Sequence, residues 1–227
     1  MSAIKAIFFK QAADFPKNMG VTMMYIIWPV MAFMMAHFMG GEEGMAQVAM
    51  FAGMFVGSAP MIAIANTIAE DNEYKGLRFL VMAGVKPWQY LIGLSVFVLI
   101  MSALSVAAFV FIGDFAGAQL TRFLIVAALG VLASVVLGGA FGIFARDVQQ
   151  ATTMYTPAMM VLMMLPMLSM FNENIQRVAQ FVFSYQVLQA VLNPYVDFSR
   201  AIIIIAINIV VLLTFFVVAY KKKGLKG

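Results

Sequence analysis

The sequence predicts an all-α membrane protein with six transmembrane helices, and three observations carry that prediction. Hydrophobic residues make up 64% of the 227 and charged residues only 11%, with a mean hydropathy of +0.97. A water-soluble domain is nearer half apolar, so this chain has more apolar surface than a soluble core can hide. Residues 44–69 hold no charged residue over 26 positions and 87–113 none over 27, each beyond the roughly 20 that cross a bilayer as a helix. Finally, the cations are shared very unevenly between alternate loops.

The chain opens on Lys5 and several apolar residues, as a signal peptide does, but Asp14, Pro16 and Lys17 interrupt the run early and no small-residue cleavage pattern comes after them. Ile4, Ile7, Phe8, Ala12 and Phe15 instead recur at helical spacing among Lys5, Lys10, Asp14 and Lys17. That pattern predicts an amphipathic helix over 1–18 lying in the interface.

Six apolar runs then predict spans at 19–39, 45–69, 88–112, 123–145, 152–171 and 201–220. A seventh uncharged run, 178–196, carries Gln180, Ser184, Gln186, Gln189 and Asn193 before Pro194. Five polar side chains facing lipid are costly, so 172–200 is expected to be an outer re-entrant helical segment buried in protein. Those five and Pro194, which lacks a backbone donor and helps end the helix, are candidate outer-gate residues.

With six spans and a cytoplasmic N-terminus, the inner side holds 11 cations: Lys5, Lys10, Lys17, Lys75, Arg78, Lys86, Arg146, Lys221, Lys222, Lys223 and Lys226. The outer side holds 3, Arg122, Arg177 and Arg200. The positive-inside rule thus predicts a multi-pass protein of the cell membrane with both termini cytoplasmic. Gly53 and Gly57, and Gly130, Ser134, Gly138 and Gly142, recur every four residues, the spacing that lets helix backbones approach, either within one chain or across a dimer seam.

Much chemistry is missing from the sequence. It has no cysteine and no GxxxxGK[ST] phosphate loop. No Asp, Glu, Lys or Arg falls inside a predicted span, which argues against an ion-coupled carrier. His37 lies near Glu42 and Glu43, yet one histidine at a span end reads as an interfacial polar residue, and no metal site is expected. The 21 methionines, some paired as Met31 with Met35 or Met159 with Met163, could in principle guide a soft cation, but without Cys or clustered His they read as adaptable apolar wall.

The most informative segment is the charged island Glu70-Asp71-Asn72-Glu73-Tyr74-Lys75-Gly76-Leu77-Arg78 between the second and third spans. Together with the start of the third span, through Glu73, Lys75, Leu77, Arg78, Leu80, Ala83, Gly84, Val85, Trp88, Tyr90 and Gly93, it resembles the cytoplasmic coupling segment of ABC-2 type transporter permeases, the membrane subunits of a large class of ATP-driven exporters. Gly76 stands where that family usually has Thr. The resemblance extends to the order of parts over the whole chain, including the outer excursion with its turn at Leu192-Asn193-Pro194-Tyr195.

The resemblance implies a permease that is not itself an enzyme and binds no cofactor. ATP and Mg would sit on a separate ABC ATPase subunit, and the permease would act as a homodimer or paired with a homologous permease. A coupling segment at 70–86, with Glu70, Asp71, Glu73, Lys75 and Arg78 exposed and Leu77, Leu80 and Val81 against the bundle, would take the push; Arg146 and Asp147 in the next inner turn would contact the same partner. Carboxylates near a helix N-terminus are favourably placed for such a handle. The implied cargo is amphipathic or apolar: a peptide, a drug or a lipid-linked molecule. The alternatives are a haem-export-type permease of cytochrome maturation and a non-transporting membrane scaffold or regulatory protein.

Overall fold

A computed structural model describes residues 3–76, 82, 84–193 and 197–223; among these, nine α-helices and one 3-10 turn can be delimited and there is no strand. Helix α1 (Ala3–Asp14) leads through a 3-10 turn (Phe15–Lys17) into α2 (Met19–Met39), and α3 (Gly41–Glu73) comes directly after it. Helices α4 (Pro87–Ile112), α5 (Gly117–Phe144) and α6 (Val148–Ser169) are joined by short turns. Two short helices, α7 (Glu173–Ala179) and α8 (Phe183–Leu192), precede the last, α9 (Phe198–Lys223). Six of the helices, α2 to α6 and α9, are long and apolar enough to cross a membrane, so the chain is a multi-pass α-helical membrane protein.

Helix α3 is the axis of the molecule. The apolar window of α3 is 94% buried inside the protein, against 11% for α9 and 22% for α2 and α6. At 33 residues it is about 50 Å long, well beyond the roughly 30 Å of a bilayer core. It runs four residues past the expected end at 69, because Glu70 to Glu73 contain no helix breaker; it stops where Lys75 takes a left-handed backbone, φ +58°. The island therefore begins as the last turn of the central span and not as a separate helix.

The N-terminal helix is less regular in its amphipathic face than its sequence suggests. Ile7 and Gln11 are buried, while Ala12 is exposed, so the inward stripe passes through Gln11. Gly93 of α4 lets α1 lie close, since a Cβ there would be 3.0 Å from that of Ile7.

Both glycine stripes are used inside one chain. On α5, a Cβ at Gly138 would strike the Met61 carbonyl, and one at Gly142 would lie 2.8 Å from the Ile68 Cβ. On α3, Gly53 and Gly57 admit α8 and α6: a Cβ at Gly57 would be 3.1 Å from the Leu162 oxygen and 3.2 Å from the Ser184 Cβ. The small residues thus seat α5, α6 and α8 on α3.

Three of the four prolines inside helices, all but Pro157, are answered by serines. A proline inside a helix has no N–H for the carbonyl four residues back, and in an apolar interior an orphan carbonyl needs another donor. Pro29 frees Tyr25, whose oxygen accepts from Ser105 Oγ of α4 at 3.1 Å. Pro60 frees Val56, which accepts from Ser134 of α5. Pro166 frees Leu162, which accepts from Ser184 Oγ of α8 at 2.7 Å. Each breach in one helix becomes a polar link to another.

Candidate functional site

At the island end of the bundle the charged side chains are sorted into an inner clasp and an outer rim. Asp71 is only 8% exposed, which corrects the expectation that it faces outward. Its Oδ1 accepts from Lys10 Nζ of α1 at 2.5 Å and its Oδ2 from the Tyr90 hydroxyl of α4 at 2.7 Å. One carboxylate therefore joins α1, α3 and α4. Glu70 is half-buried beside it, in the wall of a cavity of about 560 Å³ that also takes in Lys10, Asp14, Lys17 and Asn18.

The neighbouring residues tie α3 to the turn between α5 and α6. Asn72 Nδ2 donates to the Ala145 carbonyl at 3.1 Å and to that of Gly142 at 3.4 Å. Glu73 Oε2 accepts from the backbone N–H of Val148, the first residue of α6, at 3.3 Å. Asp147 caps the same helix, accepting from the Gln150 N–H at 2.7 Å. Carboxylates suit that position because the first N–H groups of a helix have no internal acceptor. The turn bearing Arg146 and Asp147 is thus locked to the island's first half.

What remains on the surface is a mixed rim. Glu73, Tyr74, Lys75, Lys86, Trp88 and Arg146 are exposed, Tyr74 to 72%. Arg78, with Leu77, Leu80, Val81 and Ala83, lies outside the described residues. The rim combines charges of both signs with aromatic surface and rests on the ends of the spans.

The opposite end of the bundle holds a second polar feature. Gln180, Gln186, Gln189 and Asn193 line one cavity of about 380 Å³ with Arg177 and Arg200. Gln186 is buried and its amide donates to the Gln180 carbonyl, while Arg200 Nη2 donates to Gln180 Oε1 at 2.9 Å. Asn208 Nδ2 holds the turn between α7 and α8 by donating to the Phe181 carbonyl at 2.9 Å, ten residues into α9. Ser184 is not part of this cavity: it is fully buried against α3 and spends its hydroxyl on Leu162, so it acts as a strut. Pro194 lies outside the described residues.

No group of three or more potential ligands is placed to hold a metal ion among the described residues, and His37 stacks on Phe33 with ring centroids 6.2 Å apart. Sequence reasoning missed Lys10, Asn72 and the Ser–Pro pairs as working parts. Only the pairs had a readable signal, since each proline announces an orphan carbonyl four residues earlier. No protein-family model matches the chain, and no curated protein sequence matches it.

Proposed function

We propose that the chain is the membrane-spanning subunit of an ATP-driven ABC exporter of the ABC-2 type, coupled to a separate ATPase through the rim at the island end. The observation that carries this reading is the mechanical continuity between that rim and the core. Helix α3 runs unbroken through the middle of the bundle to Glu73, and Asp71, Asn72 and Glu73 bind its end to α1, α4 and the α5–α6 turn. A push on the rim is then transmitted along the central helix and to its neighbours together.

In this reading the rim and both termini are cytoplasmic, two such subunits pair in the cell membrane, and ATP and Mg act on the partner ATPase. Closure of the ATPases moves the α3 ends and opens a path towards the outer cavity for an amphipathic or apolar cargo. The absence of Asp, Glu, Lys and Arg from the predicted spans favours a mechanically driven path over an ion-coupled one.

Co-purification tests it. Lys75 and Arg146 are exposed, and their side chains make no hydrogen bond or ion pair among the described residues. Reversing both charges should cut recovery of the co-expressed ABC ATPase several-fold and abolish ATP-driven export, with the variant eluting as the parent does. Undiminished ATPase recovery and export would remove the rim from coupling.

A further inference from the structure

The cavity among α7, α8 and the start of α9 is built for a ligand with acceptor oxygens. The amide nitrogens of Gln176, Gln180, Gln186 and Gln189 already donate within the protein, which leaves two guanidinium groups and one phenol as its strong donors. The Arg177 guanidinium has no partner among the described residues, and Arg200 is held in place by a single bond to Gln180. The buried Tyr185 hydroxyl already accepts from Gln176 at 3.1 Å and from Gln189 at 2.8 Å, so its own proton remains to be donated. Guanidinium groups and a phenolic donor around one space are the usual recognition set for phosphate or carboxylate oxygens.

Two further observations narrow the ligand. Glu173 lines the same cavity, so the charged lining is two arginines and one carboxylate, a net +1. That balance suits a monoanionic diester better than a dianionic phosphate, which would meet the Glu173 carboxylate with one charge uncompensated. Next to the polar interior the surface is strongly apolar: Val178 and Phe181 are 60% and 62% exposed, and Ile203 and Ile207 of α9 are each 57% exposed. A polar donor pocket bordered by apolar side chains at the end of a spanning helix matches a molecule with an anionic head and hydrocarbon tails.

We propose that this cavity binds the phosphodiester headgroup of a membrane phospholipid, with Arg177 and Arg200 on the phosphate, the Tyr185 hydroxyl donating to it, and the acyl chains running down over Phe181, Ile203 and Ile207. The site stands on its own geometry and does not depend on an ATPase driving the chain.

The test is a set of thermal-unfolding titrations of the purified full chain in an uncharged detergent. The probes are short-chain phosphatidylglycerol, its deacylated soluble diester glycerophosphoglycerol, and inorganic phosphate. The lipid should raise the unfolding midpoint saturably. R177Q and R200Q should each weaken its apparent affinity roughly tenfold, the loss expected for one charge-assisted contact, and R177K should recover part of it. Both arginines are exposed, and two independent variants guard against one failing to fold. A lipid response unchanged in both glutamine variants overturns the site. A response to glycerophosphoglycerol or inorganic phosphate as strong as that to the lipid overturns the lipid assignment.

Discussion

Ser184 Oγ donates to the carbonyl of Leu162 at 2.7 Å, the carbonyl that Pro166 leaves without a partner in its own helix. The bond ties the short helix α8 to the span α6 at a point where Gly57 of α3 brings all three together. Removing the hydroxyl orphans a buried acceptor, at a cost of about 1–3 kcal/mol. Ser184→Ala should therefore lower the unfolding midpoint clearly. In a Pro166→Ala background the helix regains the missing N–H, and the same substitution should cost less than half as much. Strictly additive effects in this double-mutant cycle would show that Ser184 does not serve the carbonyl.

Lys10 and Asp71 test the clasp. Lys10→Met strands a carboxylate that is largely buried, with the Tyr90 hydroxyl as its one remaining donor among the described residues. Because the Lys10 side chain is 41% exposed, solvent screening limits the loss to about 1 kcal/mol. Adding Asp71→Asn removes the stranded charge, so the double variant should melt above Lys10→Met alone. If it melts lower, the pair contributes through packing and not through charge.

The spans were legible because composition alone reports where a helix is too apolar for water, whereas Asp147 reads only as a contact for a partner and its capping of α6 was not foreseen. The sorting of the island was not legible either. A helix apolar on all sides has no hydrophobic stripe to fix its rotation, and successive residues point about 100° apart. Nothing in the sequence of α3 therefore distinguishes buried Asp71 from exposed Glu73 two positions on. The outer polar residues failed in the same way: Ser184 and Gln186 read alike along the chain, yet one packs on α3 and the other borders a cavity. Pro29, Pro60 and Pro166 are the contrary case, where a local rule states the need and only the identity of the answering serine waits for the fold.

Gly138 and Gly139 are adjacent and should respond oppositely to the same methyl group. At Gly138 the added Cβ meets the backbone of Met61 on the central helix, which cannot retreat without displacing the core. Overpacking of that kind costs about 1–3 kcal/mol, so Gly138→Ala should melt distinctly early. At Gly139 the nearest atom is Cε2 of the Phe216 ring, 3.1 Å away, and a side chain can yield by a few tenths of an ångström. Gly139→Ala should stay within about 0.5 kcal/mol of the parent. Equal losses at both would mean that α5 does not sit on α3 through Gly138.

Topology is open to direct labelling because the chain is free of cysteine. Single cysteines at the exposed positions Glu43, Ala118 and Asn174 should react with an impermeant thiol reagent added to intact cells. Those at Lys75 and Gln149 should react only after the membrane is opened. Labelling of Lys75→Cys from outside would invert the reading of the 11-to-3 cation bias and take the rim away from any cytoplasmic ATPase.

Asn72 supplies the most selective test of how the end of α3 is joined to the α5–α6 turn. Its amide reaches the Ala145 and Gly142 carbonyls at the end of α5, while its backbone belongs to the last turn of α3. Asn72→Ala leaves the apolar core untouched and should cost only about 1 kcal/mol. Its effect should be local: amide hydrogen exchange over 145–150 should quicken several-fold, with the rest of α5 and α6 unchanged. Coupling should suffer more than stability, because α3 and the Arg146 turn would then respond separately to the same push. Faster exchange with undiminished ATP-driven export would show that the link steadies the turn without transmitting anything through it.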